Sequence, residues 1–293
     1  MQYQNISPTE YSRRRSPVMA GIFYPDTESA VRVALNRYYE LSHMQGTEGR
    51  TLCNPLGIIV PHAAWDLSGI LLSRAFSLVK QHDLEQVVLL GPLHASTQEG
   101  IYLSESDSFE TPIGDLQVHQ DKVDELLSCA TVFELNDIPH LSEHSLEVIL
   151  PWIADACPQV PIIPILIGTS RASHIHALSR ALELCFSDEL DKTLFIATTN
   201  VSAHYDDAQA FEQGRRFLEL VQTGDGAQLL QLAQQGHITA CGASAVAALL
   251  LCRFLENNSI PKPHLLGQAS SRGIWEEGDK SVHYAALCIP REG

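Results

Sequence analysis

The sequence is short of basic residues. Its 293 residues include 19 lysines and arginines against 35 aspartates and glutamates, a formal net charge of −16. Because nucleic acids and anionic membrane surfaces are bound by basic faces, we expect neither as a partner. The one basic cluster, Arg13–Arg15, lies in a polar stretch that we interpret as a solvated N-terminal arm spanning residues 1–16.

Long apolar runs are also missing. No segment approaches the roughly 18 apolar residues that a membrane helix requires, and the N-terminus lacks the apolar core of a secretory signal. The seven cysteines are odd in number and include no CxxC pair, which favours reduced thiols over a disulfide framework. These absences predict a cytoplasmic protein that does not cross a membrane.

What the sequence does contain is an alternation of strand and helix patterns, without internal repeats or linkers. Continuous apolar runs predict strands covered on both faces, at Gly57–Val60, Gln86–Leu90, Ile162–Ile167, Thr193–Ala197 and Tyr284–Ile289. Helical spacing predicts helices over Ser68–Gln81, Glu143–Ala156, Ser173–Phe186, Ala208–Val221, Ala227–Gln234 and Gly242–Glu256. This order is typical of a single α/β domain, here residues 17–293, with a largely parallel central sheet and helices on both sides.

Two histidines follow predicted buried strands in the same manner. His62 comes two residues after the strand ending at Val60, and His94 closely follows the strand in VVLLGP. Since parallel crossovers bring the carboxyl ends of strands to one edge of the sheet, we expect both imidazoles there. The predicted strand ending at Ala197 delivers Asn200 and His204 to the same edge, with His204 as the candidate for proton transfer.

Cys241 is a plausible third member of this site. It directly precedes a long apolar helix pattern, and the amino end of a helix stabilises a thiolate. Two imidazoles and a thiolate make a three-ligand site for iron(II), copper or zinc, with positions left open for water or substrate. The alternative chemistry is a thiol nucleophile that transfers its proton to His204 or His62. Spacing does not separate the two.

The order of several motifs resembles that of the Memo family, which includes the bacterial AmmeMemoRadiSam system protein B. The segments GIFYP, PHAAW, GPLHAS, TPIGDL, EHSLE, IPILIG, TTNVSAHY, ACG and SVHYAA occur in the family's order over nearly the whole chain after residue 17. The resemblance implies an α/β/α sandwich with a mixed sheet, similar in fold to the LigB-like class III extradiol dioxygenases. It also implies that His62, His94 and Cys241 hold a metal, iron(II) foremost, with copper or zinc as alternatives.

Two kinds of function follow from this resemblance. The first is a non-haem iron enzyme that performs oxidative, dioxygenase-like chemistry on a small molecule. The second is a non-catalytic adaptor that keeps the pocket for a metal, a peptide or a protein partner. Asn200 favours the second reading, because the family has an aspartate there and an amide cannot accept a proton as a carboxylate can.

Other positions modify the expected pocket. Trp65 replaces the tyrosine of the family's PHAGY and is assigned to the pocket wall, where it would contact substrate with Asn200. Ala95 stands where the family has a second histidine, and one extra residue precedes His204. His144 and Glu147 of EHSLE are three apart at a predicted helix start, so we expect them on one face. That face either fixes the helix or lines the pocket, with His144 catalytic and Glu147 contacting substrate.

Overall fold

A computed structural model describes residues 13–44, 54–80, 82–94, 99–252, 254, 262–272 and 280–291. The helices are α1 Glu28–Met44, α2 Trp65–Val79, α3 Gln120–Cys129, α4 Ile138–Ser142, α5 Leu150–Ala156, α6 Ala172–Phe186, α7 Asp207–Thr223, α8 Gly226–Gln234 and α9 Ala243–Leu250. The strands are β1 Arg14–Arg15, β2 Pro55–Val60, β3 Gln86–Pro92, β4 Ile101–Leu103, β5 Ser108–Phe109, β6 Leu116–Gln117, β7 Phe133–Leu135, β8 Ile162–Ile167, β9 Thr193–Thr198, β10 Ser202–His204, β11 His264–Ser270 and β12 Ser281–Pro290.

A mixed nine-stranded sheet forms the centre of the molecule, in the order β10-β12-β2-β9-β3-β8-β4-β7, with β11 also paired to β12. The four central strands β2, β9, β3 and β8 are mutually parallel, whereas β12 and β4 join them antiparallel on either side. Every residue of those four strands is buried, because helices cover both faces. The predicted single α/β domain with a mixed sheet is confirmed.

The predicted strands all exist, and the prediction of Ile162–Ile167 matches β8 at both ends. The structure differs most at Glu143–Ala156, which is not one helix. Residues 143–146 form a loop, Glu147–Ile149 a 3₁₀ turn, and α5 begins only at Leu150. Pro151 explains the late start, since proline is tolerated in the first turn of a helix but not in its interior.

The N-terminal residues are more deeply embedded than the charge pattern predicts. Arg14 and Arg15 form β1, which pairs with β5 in a small second sheet of order β1-β5-β6. The interpretation of the basic cluster as a solvated arm is therefore wrong for Arg15, whose side chain is only 2% exposed. An ion pair with the equally buried Glu147 compensates its charge.

The thiol prediction also needs one correction, at Cys288. Cys288 is disulfide-bonded. The sequence does not predict this bond, because the linear spacing of cysteines does not reveal which thiols meet in space. Cys129, Cys157, Cys185, Cys241 and Cys252 carry reduced thiols, as predicted. In the part of the chain that the structure describes, the helices are too short or too polar to span a bilayer.

Candidate metal centre

Three histidines converge at the carboxyl edge of the parallel strands. His62 follows β2, His94 follows β3, and His144 comes from the loop after α4. One ring nitrogen from each lies within 4.8 Å of the other two. The His94 and His144 rings stack at 4.6 Å between centroids, and the His62 ring stands nearly perpendicular to both. The structure thus brings His62 and His94 together as the strand topology predicts, and adds His144.

Glu143 holds two of these histidines in place. Its carboxylate, which is only 1% exposed, accepts from His94 Nδ1 at 2.9 Å and from the His94 backbone N–H at 2.5 Å. The same carboxylate accepts the backbone N–H groups of His144 and Ser145, both at 2.9 Å, and lies 3.2 Å from His144 Nδ1. A carboxylate on Nδ1 fixes the orientation of an imidazole and leaves Nε2 of His94 free to act as a ligand.

Thr198 orients the His62 ring, as Glu143 orients the His94 ring. This threonine ends β9, the strand between β2 and β3, and its hydroxyl lies 3.1 Å from His62 Nδ1. Nε2 of the fully buried His62 consequently faces Cys241, with 3.1 Å between Nε2 and Sγ. The sheet order places β2, β9 and β3 side by side, so the contact between Thr198 and His62 follows from strand pairing.

Cys241 lies at the amino end of α9, as the sequence predicts. Its sulfur accepts the backbone N–H of Asn200 at 3.3 Å, and the next residue, Gly242, donates its N–H to Thr199 Oγ1 at 2.9 Å. Burial opposes ionisation, but the charge of His62 and hydrogen bonds from His62 and His94 lower the pKa of Cys241 well below its usual range. The sulfur therefore has thiolate character, the form that binds metals and attacks electrophiles.

The charges around the three histidines are complementary. Burial would lower the pKa of His94, yet the hydrogen bonds that it donates to Cys241 and Glu143 raise it to about 10. Burial would raise the pKa of Glu143, yet its bonds with His94 lower it to about 2. Burial and the nearby His62 lower the pKa of His144 to about 4. Without a metal, the cationic His94 imidazole thus lies between the Glu143 carboxylate and the Cys241 thiolate, beside a neutral His144.

Several predicted site residues lie elsewhere. His204 is in β10, where its Nδ1 accepts the backbone N–H of Asp206, and it is not part of the histidine cluster. Trp65 is 2% exposed and packs in the core between Tyr24 and Trp152, because α2 begins at this residue and turns its side chain inward. Its contacts are those of a core residue, and its contact with substrate stays a prediction.

Glu147 does not share a face with His144. The loop and 3₁₀ turn that replace the expected helix direct the Glu147 carboxylate into the interior, where Arg15 and Tyr24 bind it. Asn200 remains beside the cluster through its backbone contact with Cys241, and its side-chain oxygen is buried without a hydrogen-bond partner. Ala95 lies outside the described residues.

Two supporting residues were not identified from the sequence as parts of the site. The sequence predicts Glu143 only as the first residue of a helix, and it assigns no role to Thr198. The available signal was their position, since Glu143 immediately precedes His144 and Thr198 ends a strand that neighbours β2.

Comparison with known proteins shows the family of this chain. The profile of the family described as "Memo-like protein" matches residues 15–288. The chain belongs to this family. Similar relatives include a MEMO1 family protein of Thermotoga maritima, 28% identical over 88% of this chain and 94% of its own length. Another, from Nitrosopumilus maritimus, is 23% identical over 93% of this chain and 98% of its own length.

Among solved structures, the uncharacterized protein JW3007 of Escherichia coli K12 is similar in fold to this Memo-like chain. The two share 13% sequence identity with a TM-score of 0.51, over 80% of this chain and 98% of that protein. A likeness at this identity concerns the fold alone, so the function of the Memo-like chain is argued from its own residues.

Proposed function

We propose that this Memo-like protein binds one metal ion, iron(II) foremost, with copper or zinc as alternatives. The observation that carries the proposal is the convergence of His62, His94 and His144, whose ring nitrogens lie within 4.8 Å of one another next to the Cys241 sulfur. Imidazole and thiolate ligands suit iron, copper and zinc and do not suit calcium or magnesium, which take oxygen ligands.

The distance between the His62 nitrogen and the Cys241 sulfur fits coordination of a single ion. Metal–nitrogen bonds of about 2.1 Å and metal–sulfur bonds of about 2.3 Å place the two ligand atoms about 3.1–3.6 Å apart across one ion, for bond angles of about 90–110°. The observed separation between His62 Nε2 and Cys241 Sγ is 3.1 Å. The far nitrogens of His62 and His94 are already bonded to Thr198 and Glu143, the arrangement that ligand histidines need.

The ligand set that we propose is His62, His94 and Cys241. His144 either completes the coordination or stands beside an open position as a neutral imidazole that can accept a proton from a bound molecule. A bound iron or copper ion would supply one-electron and oxygen chemistry, which makes an oxidoreductase acting on a small molecule the enzymatic form of the proposal. Proton handling is assigned to His144 rather than to His204, which lies outside the cluster.

Metal content tests the proposal. Protein purified without oxygen and loaded with iron(II) is compared by mass spectrometry with the His62→Ala/His94→Ala double variant. We expect near one equivalent of metal in the wild type and none in the double variant, whereas His237→Ala, at an exposed position, keeps the metal. Absence of metal from the loaded wild type would refute the proposal. Oxygen uptake that disappears in the double variant would then support the enzymatic form.

The pairing of Cys241 with His62 favours a second function, thiol-dependent hydrolysis. A sulfur 3.1 Å from an imidazole nitrogen, with a lowered pKa, is the arrangement of an activated cysteine nucleophile. Chelators would leave such an activity unchanged, and iodoacetamide would abolish it. Partner binding that survives removal of the metal would instead identify the adaptor function, which stays a prediction.

A further inference from the structure

The N-terminal segment, residues 15–24, directly contacts two of the three chain segments that carry metal-site histidines, those of His62 and His144. We propose that Arg15 is a positioning residue of the metal centre, which sets the place of Glu143 and His144 without touching the ion. This inference rests on the proposed function, since it concerns how firmly the same site holds its metal.

Three hydrogen bonds of the Arg15 guanidinium go to one short stretch, residues 140–147. Nε donates to the carbonyl oxygen of His140 at 3.0 Å, Nη2 donates to that of Glu143 at 3.0 Å, and Nη1 pairs with the Glu147 carboxylate at 2.5 Å. The planar guanidinium therefore fixes the backbone at two points, His140 and Glu143, and the Glu147 side chain at a third, around the loop from which Glu143 and His144 project. A lysine ammonium is a point charge and cannot reproduce this fork.

The other side of the ion pair is equally well satisfied. The Glu147 carboxylate also accepts the backbone N–H groups of Val18 and Met19 and the hydroxyl of Tyr24 at 2.7–3.1 Å. A buried ion pair is weak evidence for stability, because apolar residues of similar volume often serve as well. The ion pair between Arg15 and Glu147 instead fixes geometry, since it joins the N-terminal segment to the loop of residues 140–147 in one arrangement.

Phe23 connects the N-terminal segment directly to the histidines. The Phe23 ring meets the His144 ring edge-on at 5.2 Å between centroids. The Phe23 carbonyl accepts the backbone N–H of Trp65 at 2.8 Å, three residues after His62. One segment thus contacts the chain beside His62, the ring of His144 and, through Arg15, the backbone of Glu143, which in turn orients His94.

The test compares Arg15→Lys with Arg14→Lys. Arg14 is the adjacent residue of β1, but its side chain is half-exposed and pairs with Glu110 and Asp115, away from the loop. Cobalt(II) serves as the probe, because its visible spectrum reports coordination number as well as occupancy. We expect Arg15→Lys to weaken cobalt(II) binding about tenfold, the lower end for losses of residues that orient ligands, and to change the visible bands. Arg14→Lys should match the wild type in both.

Two further measurements separate the possible failures. Should Arg15→Lys fail to fold, the charge-balanced Arg15→Met/Glu147→Met variant replaces it, with the same expected change in cobalt(II) affinity and spectrum. Wild-type affinity and bands in the folded variant would overturn the inference and leave the proposed function intact. Failure of the wild type to bind cobalt(II) or iron(II) would refute the proposed function itself.

If the wild type binds neither cobalt(II) nor iron(II), a measurement on the metal-free protein still tests the role of Arg15. The imidazole ¹⁵N resonances of His144 and His94 should shift in Arg15→Lys and not in Arg14→Lys, with His144 assigned by its loss in His144→Gln. Unshifted imidazole signals would overturn the positioning role of Arg15, whatever the protein binds.

Discussion

Replacing Glu143 by glutamine is expected to weaken metal binding by one to two orders of magnitude. The carboxylate accepts hydrogen bonds only, from the backbone and Nδ1 of His94 and from the backbone N–H groups of His144 and Ser145. Glutamine has nearly the same shape, but its amide nitrogen would meet an N–H group of His94 or His144 as donor against donor. His94 would lose its fixed orientation and the partner that makes it a stronger ligand.

The size of the effect follows from comparable sites. Losing a partner that orients a ligand histidine costs about 10–100-fold in metal affinity, or about 1.4–2.7 kcal/mol. We place Glu143→Gln at the upper end, because one carboxylate supports two histidines. Competition with a metal-binding dye under anaerobic conditions measures the dissociation constant. Glu219→Gln on the exposed face of α7 is the control and should bind as the wild type does.

The reasoning would be refuted by a folded Glu143→Gln protein that binds metal as tightly as the wild type. Folding is checked independently by urea unfolding, so that a loss of affinity is not mistaken for a loss of structure. Such a result would mean that the contacts of Glu143 serve the loop alone.

Three other predictions concern pH, metal protection and packing. Burial lowers the pKa of His140 to about 4, so between pH 6.5 and pH 4 only the unfolded state takes up this proton. Acid should therefore lower the free energy of unfolding by up to about 3 kcal/mol over this range. His140→Gln should flatten this pH dependence in urea titrations. Iodoacetamide should modify Cys241 near neutral pH in the metal-free protein, and bound metal should prevent it, as measured by peptide mass spectrometry. Gly242→Ala should cost at least about 2 kcal/mol of unfolding free energy, since its methyl group would overlap the Thr198 carbonyl.

Each of these predictions has a control. His237→Gln, at an exposed position, should leave the acid dependence unchanged, and equal slopes for His140→Gln and the wild type would contradict the first prediction. Cys157, whose pKa burial raises to about 12, should stay unmodified under conditions that alkylate Cys241. Gly114→Ala tests a different cause, backbone strain, because a methyl group there meets open space but φ is +137°.

The sequence located the histidines of the central strands because strand order alone decides where they lie. His62 and His94 each follow a continuous apolar run, and the carboxyl ends of parallel strands share one edge of the sheet. Cys241 was found for a similar reason, from the apolar helix that it precedes. These positions depend on regular elements, which the pattern of apolar residues predicts.

The remaining parts of the site depend on irregular chain. A run of apolar residues over Glu143–Ala156 predicts a helix, and only the three-dimensional structure shows the loop that turns His144 and Glu147 in different directions. Arg15 lies in a polar stretch near the chain end, where charge predicts exposure. Its burial requires a partner 132 residues away, which no local pattern reveals.

The wide separation of the site residues along the chain has a consequence for the order of events in folding. The Cys241 sulfur and the His62 ring, 179 residues apart, meet only when β2, β9 and the start of α9 are already in place. Contacts of such long range form late and slowly, so a ribosome-bound chain that ends before residue 241 has no complete set of donors. Metal taken up by this protein would therefore report that nearly the whole polypeptide has been synthesised and assembled, and mass action would favour that finished state over every shorter intermediate.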